Sequence, residues 1–313
     1  IRKRPARIDM THAVELVGAT KRFGTQTAVD NLDLTVPRGS IYGFIGPNGS
    51  GKTTTLRMIL RIFQPDSGSV AVLGKTAGRA ADSRVGYLPE ERGLYKRMKV
   101  YDLCAYYAKL KGMYNCKPAV DEWLERLDAT SWADKRIDAL SKGMAQKISF
   151  ITAVVAKPEL LILDEPFSGL DPVNLDVLRN AVISLREAGT TVIFSTHDMD
   201  VAERLCDTIF MIFKGQKVLN GSVDEIRRQY ATNRLSVRLR NPDNLPSNLP
   251  GVTSVNKNDE DLMLSVKDDA VSSDVLKTLV EAGCEIDRFE REQPTLHNIF
   301  VSIAKPEMSG EET

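Results

Sequence analysis

The sequence has no apolar run approaching the eighteen or more residues that a membrane-spanning helix needs; its longest candidate, around residues 148 to 163, is broken by Lys157, Pro158 and Glu159. A chain that does not cross a bilayer on its own helices is expected. Cysteine is sparse: Cys104, Cys116, Cys206 and Cys284 lie far apart, with neither a C-x-x-C pair nor a metal-ligand spacing. They read as reduced packing residues of a cytosolic protein. Excess charge is absent too, because 42 basic and 42 acidic residues cancel, leaving no overall field to favour nucleic acid or another polyanion. The first ten residues, IRKRPARIDM, are basic but lack the apolar core of a secretory signal, and a disordered arm is the expectation there. No heptad run predicts a coiled coil.

With 313 residues, a larger domain and a smaller one fit the length. The charge balance also divides, since residues 231–313 hold 9 Lys and Arg against 15 Asp and Glu. The most informative stretch is residues 41–55, IYGFIGPNGSGKTTT, a short apolar run followed by a glycine-rich turn and a helix start. Gly46, Gly51, Lys52 and Thr53 match G-x-x-x-x-G-K-[ST], in which loop amides wrap phosphates, the lysine reaches the β/γ oxygens and the hydroxyl binds Mg²⁺. Average composition gives this pattern by chance in about one chain in a hundred of this length, so a merely flexible turn is the weaker reading. The helix expected over residues 53–63 aims its partly positive end at the anion.

Ahead of the cradle, VELV and AVDNLDLTV predict two strands separated by KRFGTQT, and Phe23 in that turn could stack on a base or simply pack. Behind it, QPDSG reads as a turn and residues 69–74 as a returning strand. Residues 85–95, VGYLPEERGLY, predict a strand that leaves the core through Pro89. Helical spacing then continues to Leu140, with Trp123 and Trp132 read as packing residues of an inserted helical subdomain. LSKGM opens a long apolar helix whose Ser141 could be no more than a cap. The strand LLIL ends in Asp164 and Glu165, two carboxylates at the carboxyl edge of a sheet where open α/β folds bind ligands. Such a pair is costly beside buried groups unless it holds a cation or a water. A helix over residues 173–188, the strand TTVIFS and then His197 follow; His12 and His297, the other two histidines, are assigned no role.

These residues, in this order, resemble the ATP-binding cassette (ABC) ATPases over roughly residues 13–230. The resemblance implies an α/β P-loop NTPase fold with a helical subdomain at about residues 96–157, ATP and Mg²⁺ as cofactors, and ATP hydrolysis as the activity. It assigns Phe23 to the adenine. Gly46, Pro47, Asn48, Gly49, Ser50, Gly51, Lys52, Thr53 and Thr54 become the phosphate loop. Ser141, Lys142, Gly143 and Met144 become the signature, which acts on the ATP of a second cassette in a head-to-tail homodimer or heterodimer. Glu90 becomes the Q-loop position, Ser168 to Asp171 the D-loop, Thr53, Asp164 and Glu90 the metal set, and Glu165 and His197, with Lys52, the catalytic groups. Three positions depart from the commonest pattern: Glu90 replaces glutamine, LSKGM replaces LSGGQ, and Phe23 replaces tyrosine.

GYLPEERGLY with LSKGM resembles the cassettes of type-2 exporters, including sodium-efflux and drug-export groups. The partner implied is a separate membrane-spanning permease, with this subunit peripheral on the cytoplasmic face of the inner (plasma) membrane; Arg92 and Tyr95 are expected to meet its coupling helix. Residues 231–305 are expected to form an α+β domain of ferredoxin-like character, with strands at 234–239, 262–267 and 285–290 and helices at 270–282 and 295–304, and it too resembles a domain appended in that branch. Residues 1–12 and 306–313 are expected to be tails. Two other readings remain: a soluble ABC ATPase acting on ribosomes or DNA, disfavoured by the single cassette, the short insertion and the neutral charge; and an importer cassette. Nucleic acid is not an expected partner.

Overall fold

Three stretches, IYGFI, LLILD and TVIFST, carry apolar residues without alternation, as strands covered on both faces do. In the computed structural model each is a strand buried at every residue. The structure describes residues 11–76, 82–91, 93–231, 233–241, 245–246, 248–258, 260–268 and 271–308; Arg92 and residues 1–10 and 309–313 of the expected tails lie outside the described residues, whereas His12 opens a strand and residues 306–308 end a helix where tails were expected. The chain divides between Val223 and Asp224 into two compact units.

The first unit runs β1 (His12–Phe23), β2 (Gln26–Pro37), β3 (Ile41–Ile45), α1 (Lys52–Ile59), β4 (Ser67–Val72), β5 (Val85–Leu88), α2 (Val100–Leu110) and α3 (Lys117–Arg126). It continues with α4 (Lys142–Val154), β6 (Leu160–Asp164), α5 (Pro172–Glu187), β7 (Thr191–Thr196), α6 (Met199–Leu205), β8 (Thr208–Phe213) and β9 (Gln216–Gly221). Its main sheet has the order β5-β6-β7-β3-β8-β9, parallel except for β9; β1, β2 and β4 form a separate antiparallel sheet in the order β2-β1-β4.

Period-two side-chain placement explains the unbroken apolar strands. Leu161, Leu163, Val192 and Phe194 enter one core with α2 to α5, whereas Leu160, Ile162, Ile193, Tyr42 and Phe44 enter a second core with α1 and the antiparallel sheet. The motif-bearing strand ends are therefore held from both sides. The cradle helix stops at Ile59, short of the expected Phe63. Arg61 adopts the left-handed region (φ 60°), and the Arg57 carbonyl accepts the amides of Ile62 and Phe63 at 2.9 and 3.1 Å. A left-handed residue after the last turn satisfies the terminal carbonyls and ends the helix.

The second unit contains α7 (Val223–Gln229), which begins at the division, then β10 (Arg234–Leu239), β11 (Val252–Asn258), β12 (Asp261–Val266), α8 (Val271–Glu281), β13 (Ile286–Arg291) and α9 (Leu296–Met308). Its four strands form one antiparallel sheet in the order β11-β12-β10-β13 around Leu235, Val237, Leu264, Val275 and Leu279. This is a β-α-β-β-α-β plan with no helix among the described residues of the first crossover, 240–251, a stretch carrying Pro242, Pro246 and Pro250.

Helix α3 depends on one aromatic anchor. Trp123 is almost fully buried, and its ring lies 5.9 Å from that of Phe150 on α4, edge to face. Trp123→Ala is expected to lower stability by about 3–5 kcal/mol, read as a lower urea midpoint; a loss of under about 1 kcal/mol would show that α3 and α4 do not share a load in this core.

Candidate active site

The cradle follows β3 directly. Gly46, Gly49 and Gly51 all have positive φ (156°, 77° and 109°), which bends residues 46–51 into a loop before α1 begins at Lys52. The loop is fixed from behind as well: the Gly215 amide donates to the Ser50 carbonyl at 2.9 Å, and a Cβ at Gly46 would stand 2.2 Å from the Ile212 carbonyl oxygen of β8. Lys52, nearly buried, folds back so that its Nζ donates to the carbonyls of Gly46 (2.6 Å) and Pro47 (3.0 Å). Burial draws its ammonium below the usual lysine range, against the opposing pull of Glu165, Asp164 and Glu90.

A cavity of about 370 Å³ brings the cradle together with residues far away in sequence. Phe23, Asn48, Gly49, Gly51, Lys52, Thr53 and Thr54 line it with Gln26, Ala28, Glu90, Asp164 and Glu165. Phe23 reaches it from the end of β1, partly exposed, its ring 5.3 Å from Phe63 in an edge contact. Asp164 is the last residue of β6, and Glu165 follows in the left-handed region (φ 49°), a conformation that L residues avoid. Its amide donates to the carbonyl and to the Oγ of Ser195, each at 3.2 Å. Its carboxylate meets His197, with Oε1 2.9 Å from Nδ1. With Glu165 ionised this contact is attractive only when Nδ1 carries the proton. His197 is mostly exposed while Glu165 is buried, so the histidine joins the buried carboxylate to the surface.

The signature residues stand elsewhere. Ser141 caps α4 by accepting the Met144 amide at 3.3 Å, and Lys142, Gly143 and Met144 form the first turn; none lines the cavity. That turn faces the D-loop segment of its own chain, where a Cβ at Gly169 would lie 2.9 Å from Lys142 Nζ. Asp171 caps α5, and hydrogen bonds from the Asn174 amide, then its side chain, hold the Asp171 carboxyl below the usual carboxylate range. Tyr95 is half exposed, its ring 5.7 Å from Tyr106.

Two residues escaped the motif reading. Ser195 donates its hydroxyl to Asp164 Oδ1, and Gln146 of α4 donates its side-chain amide to the Pro166 carbonyl just past Glu165. Both are fully buried polar residues among apolar neighbours, the signal that could have found them. Thr53 and Asp164 could offer hard oxygen donors to a divalent cation, with Glu90 in the same cavity. Among the described residues no group of three His, Cys, Asp or Glu side chains could hold a metal alone. Oxygen donors beside a phosphate cradle suit Mg²⁺, which binds through one or two protein groups together with substrate phosphates.

A family model described as ABC transporter matches residues 29–168, and one for the C-terminal domain of DrrA1-3-like ATP-binding proteins matches residues 221–304. The chain is 42% identical to the ABC transporter ATP-binding protein YhaQ of Bacillus subtilis over 90% of its own length and 95% of that protein's. With the daunorubicin resistance ATP-binding protein DrrA3 of Streptomyces coeruleorubidus it shares 32% identity over 93% of this chain and 95% of the relative. A solved ATP-binding subunit of an ABC transporter superposes with a TM-score of 0.66 at 27% identity, over 70% of this chain and 93% of the other.

The two kinds of glycine in the loop are separable by substitution. Gly46→Ala drives a Cβ into the β8 carbonyl, whereas Gly49→Ala meets open space and bears only the left-handed backbone. Chemical denaturation should show Gly49→Ala costing about 1–2 kcal/mol and Gly46→Ala more, by about 1–3 kcal/mol; equal losses would contradict the close approach of β8.

Proposed function

We infer, from the premise that this chain belongs to the ABC transporter ATP-binding proteins, that its ATP hydrolysis drives export through a separate membrane-spanning permease. The protein is an ATPase subunit with a P-loop NTPase fold. Export is supported by two things: the GYLPEERGLY and LSKGM residues, and the drug-resistance relative that is similar along nearly its whole length. In this reading the subunit is peripheral on the cytoplasmic face of the membrane; no helix among the described residues is long and apolar enough to cross it. The observation that carries the reading is the convergence of Lys52, Asp164 and Glu165 in one cavity with Glu165 hydrogen-bonded to His197.

The chemistry is phosphoryl transfer to water. The N–H groups of the loop from Gly46 to Thr54, Pro47 excepted, and the Lys52 ammonium bind the phosphates, with Lys52 exchanging its contacts to the Gly46 and Pro47 carbonyls for phosphate oxygens. Phe23 stacks on the base. Thr53 and Asp164 would hold Mg²⁺, with Glu90 beside them in place of a neutral amide, and the ion would supply charge neutralisation to the phosphates. Glu165 orients the attacking water and takes its proton. His197 Nδ1–H fixes the Glu165 carboxylate, and a proton on Nε2 as well would let the ring donate to the γ-phosphate.

One cassette lacks part of this machinery, because Ser141, Lys142, Gly143 and Met144 lie outside its own cavity. A second cassette, identical or different, supplies them in a head-to-tail dimer. In this reading Ser168 and Asp171 belong to the same junction, on the segment whose Gly169 faces Lys142. The ATP-binding domain is taken as residues 13–230 and the accessory domain as 231–305. The latter is a dimer-stabilising or regulatory addition.

Glu165→Gln keeps the shape of the side chain and removes the base. Turnover should fall by about two to four orders of magnitude while ATP binding persists, measured by phosphate release and by a fluorescent nucleotide. ATP should also drive this variant into a dimer on size exclusion, and adding Ser141→Ala should weaken that dimer. Unchanged turnover would remove Glu165 from the mechanism, and an ATP-indifferent monomer would remove the shared site.

A further inference from the structure

Strand β7 is apolar through Val192, Ile193 and Phe194 and then places a serine, Ser195, at a fully buried position. A hydroxyl buried without partners is costly, so its hydrogen bonds show what it is there to hold. Ser195 lies directly opposite Asp164 in the parallel β6–β7 register. Its single donor goes to Asp164 Oδ1, and its oxygen accepts the Glu165 amide at 3.2 Å. The Ser195 carbonyl accepts the same amide at 3.2 Å. One residue thus touches both halves of the acidic pair: the carboxylate of the first and the backbone of the second.

The consequences are directional. A hydroxyl has one proton to donate, and giving it to Oδ1 leaves Oδ2 of Asp164 for a ligand. The amide contacts hold Glu165 in its left-handed conformation, which aims a buried carboxylate at the histidine rather than along the strand. Satisfying a buried hydroxyl requires only one partner, whereas this one engages both residues of the acidic pair.

We propose that Ser195 is a positioning residue of the hydrolytic site, setting the rotamer of the Asp164 carboxylate for a divalent cation and pinning the turn that carries Glu165. This rests on the nucleotide-site reading above. Partners one step removed from a metal act by orienting the ligand that touches it, and their loss costs about 10- to 100-fold in metal affinity.

The test uses the full chain, with Mn²⁺ as the probe, read by electron paramagnetic resonance in the presence of ATP, beside fluorescent ATP binding in excess EDTA. Ser195→Ala should weaken Mn²⁺ about 10- to 100-fold yet leave metal-free nucleotide binding within about threefold, and Ser195→Thr, which keeps the hydroxyl, should restore most of the Mn²⁺ affinity. In turnover assays, Ser195→Ala should recover part of its loss at high Mg²⁺. Wild-type Mn²⁺ affinity in Ser195→Ala would overturn the proposal. So would an equal loss of metal-free binding, or a threonine variant as weak as the alanine one. Should Ser195→Ala fail to fold, Ser195→Cys, similar in size and a poor donor, must show the same selective loss. A wild-type chain that binds no Mn²⁺ with ATP would instead sink the nucleotide-site reading itself, a result distinct from the others.

Discussion

Two neighbouring carboxylates at the buried end of a strand have to be reconciled with the core behind them, and much of the site's design answers to that constraint. Asp164 and Glu165 are almost fully buried, with Lys52 nearly as buried in the same cavity. Lone charges there would be strongly penalised. The structure offsets the penalty with directed hydrogen bonds: Ser195 to Asp164, His197 to Glu165, and Lys52 to the Gly46 and Pro47 carbonyls. Against Lys52, the three carboxylates of the cavity leave an excess of negative charge, which suits a site completed by a cation arriving with its phosphates.

The sheet makes this arrangement possible by being covered on both faces. Each motif strand sends alternate residues into two separate cores, so the ends carrying the cradle, the acidic pair and His197 are set by packing rather than by loop conformation. Helices α4 and α5 extend the frame outward. Each begins with its own side-chain cap, Ser141 and Asp171, and Gln146 ties α4 to the turn after Glu165. Through Gln146 the turn after Glu165 is joined to the helix that the signature residues open.

The parts that were legible in the sequence are those where one local rule dominates. Glycines and lysine at fixed spacing mark the cradle, unbroken apolar runs mark β3, β6 and β7, and three- and four-residue apolar steps mark α2 and α3. In the second unit β10 runs from Arg234 to Leu239, the stretch that alternation picks out. What was not legible depends on context. Strand β11, VTSVNKN, has too few apolar residues to alternate and exists because β12 pairs with it as an edge. The early stop of α1 rests on a left-handed arginine that no composition rule flags. Elements α6, β8 and β9 carry none of the motifs, although β8 supplies the carbonyl that packs against Gly46. Ser195 became meaningful only once the register set it opposite Asp164.

The proposed function requires that this ATPase work on a membrane-spanning partner. Its most direct test is to trap Glu165→Gln with Mg-ATP in the host cell's detergent-solubilised membranes, purify it, and identify by mass spectrometry what accompanies it. A polytopic membrane protein should be recovered with ATP and lost without it. Ribosomal proteins or nucleic acid in its place, with no membrane protein, would contradict that requirement and leave the ATPase without a transporter.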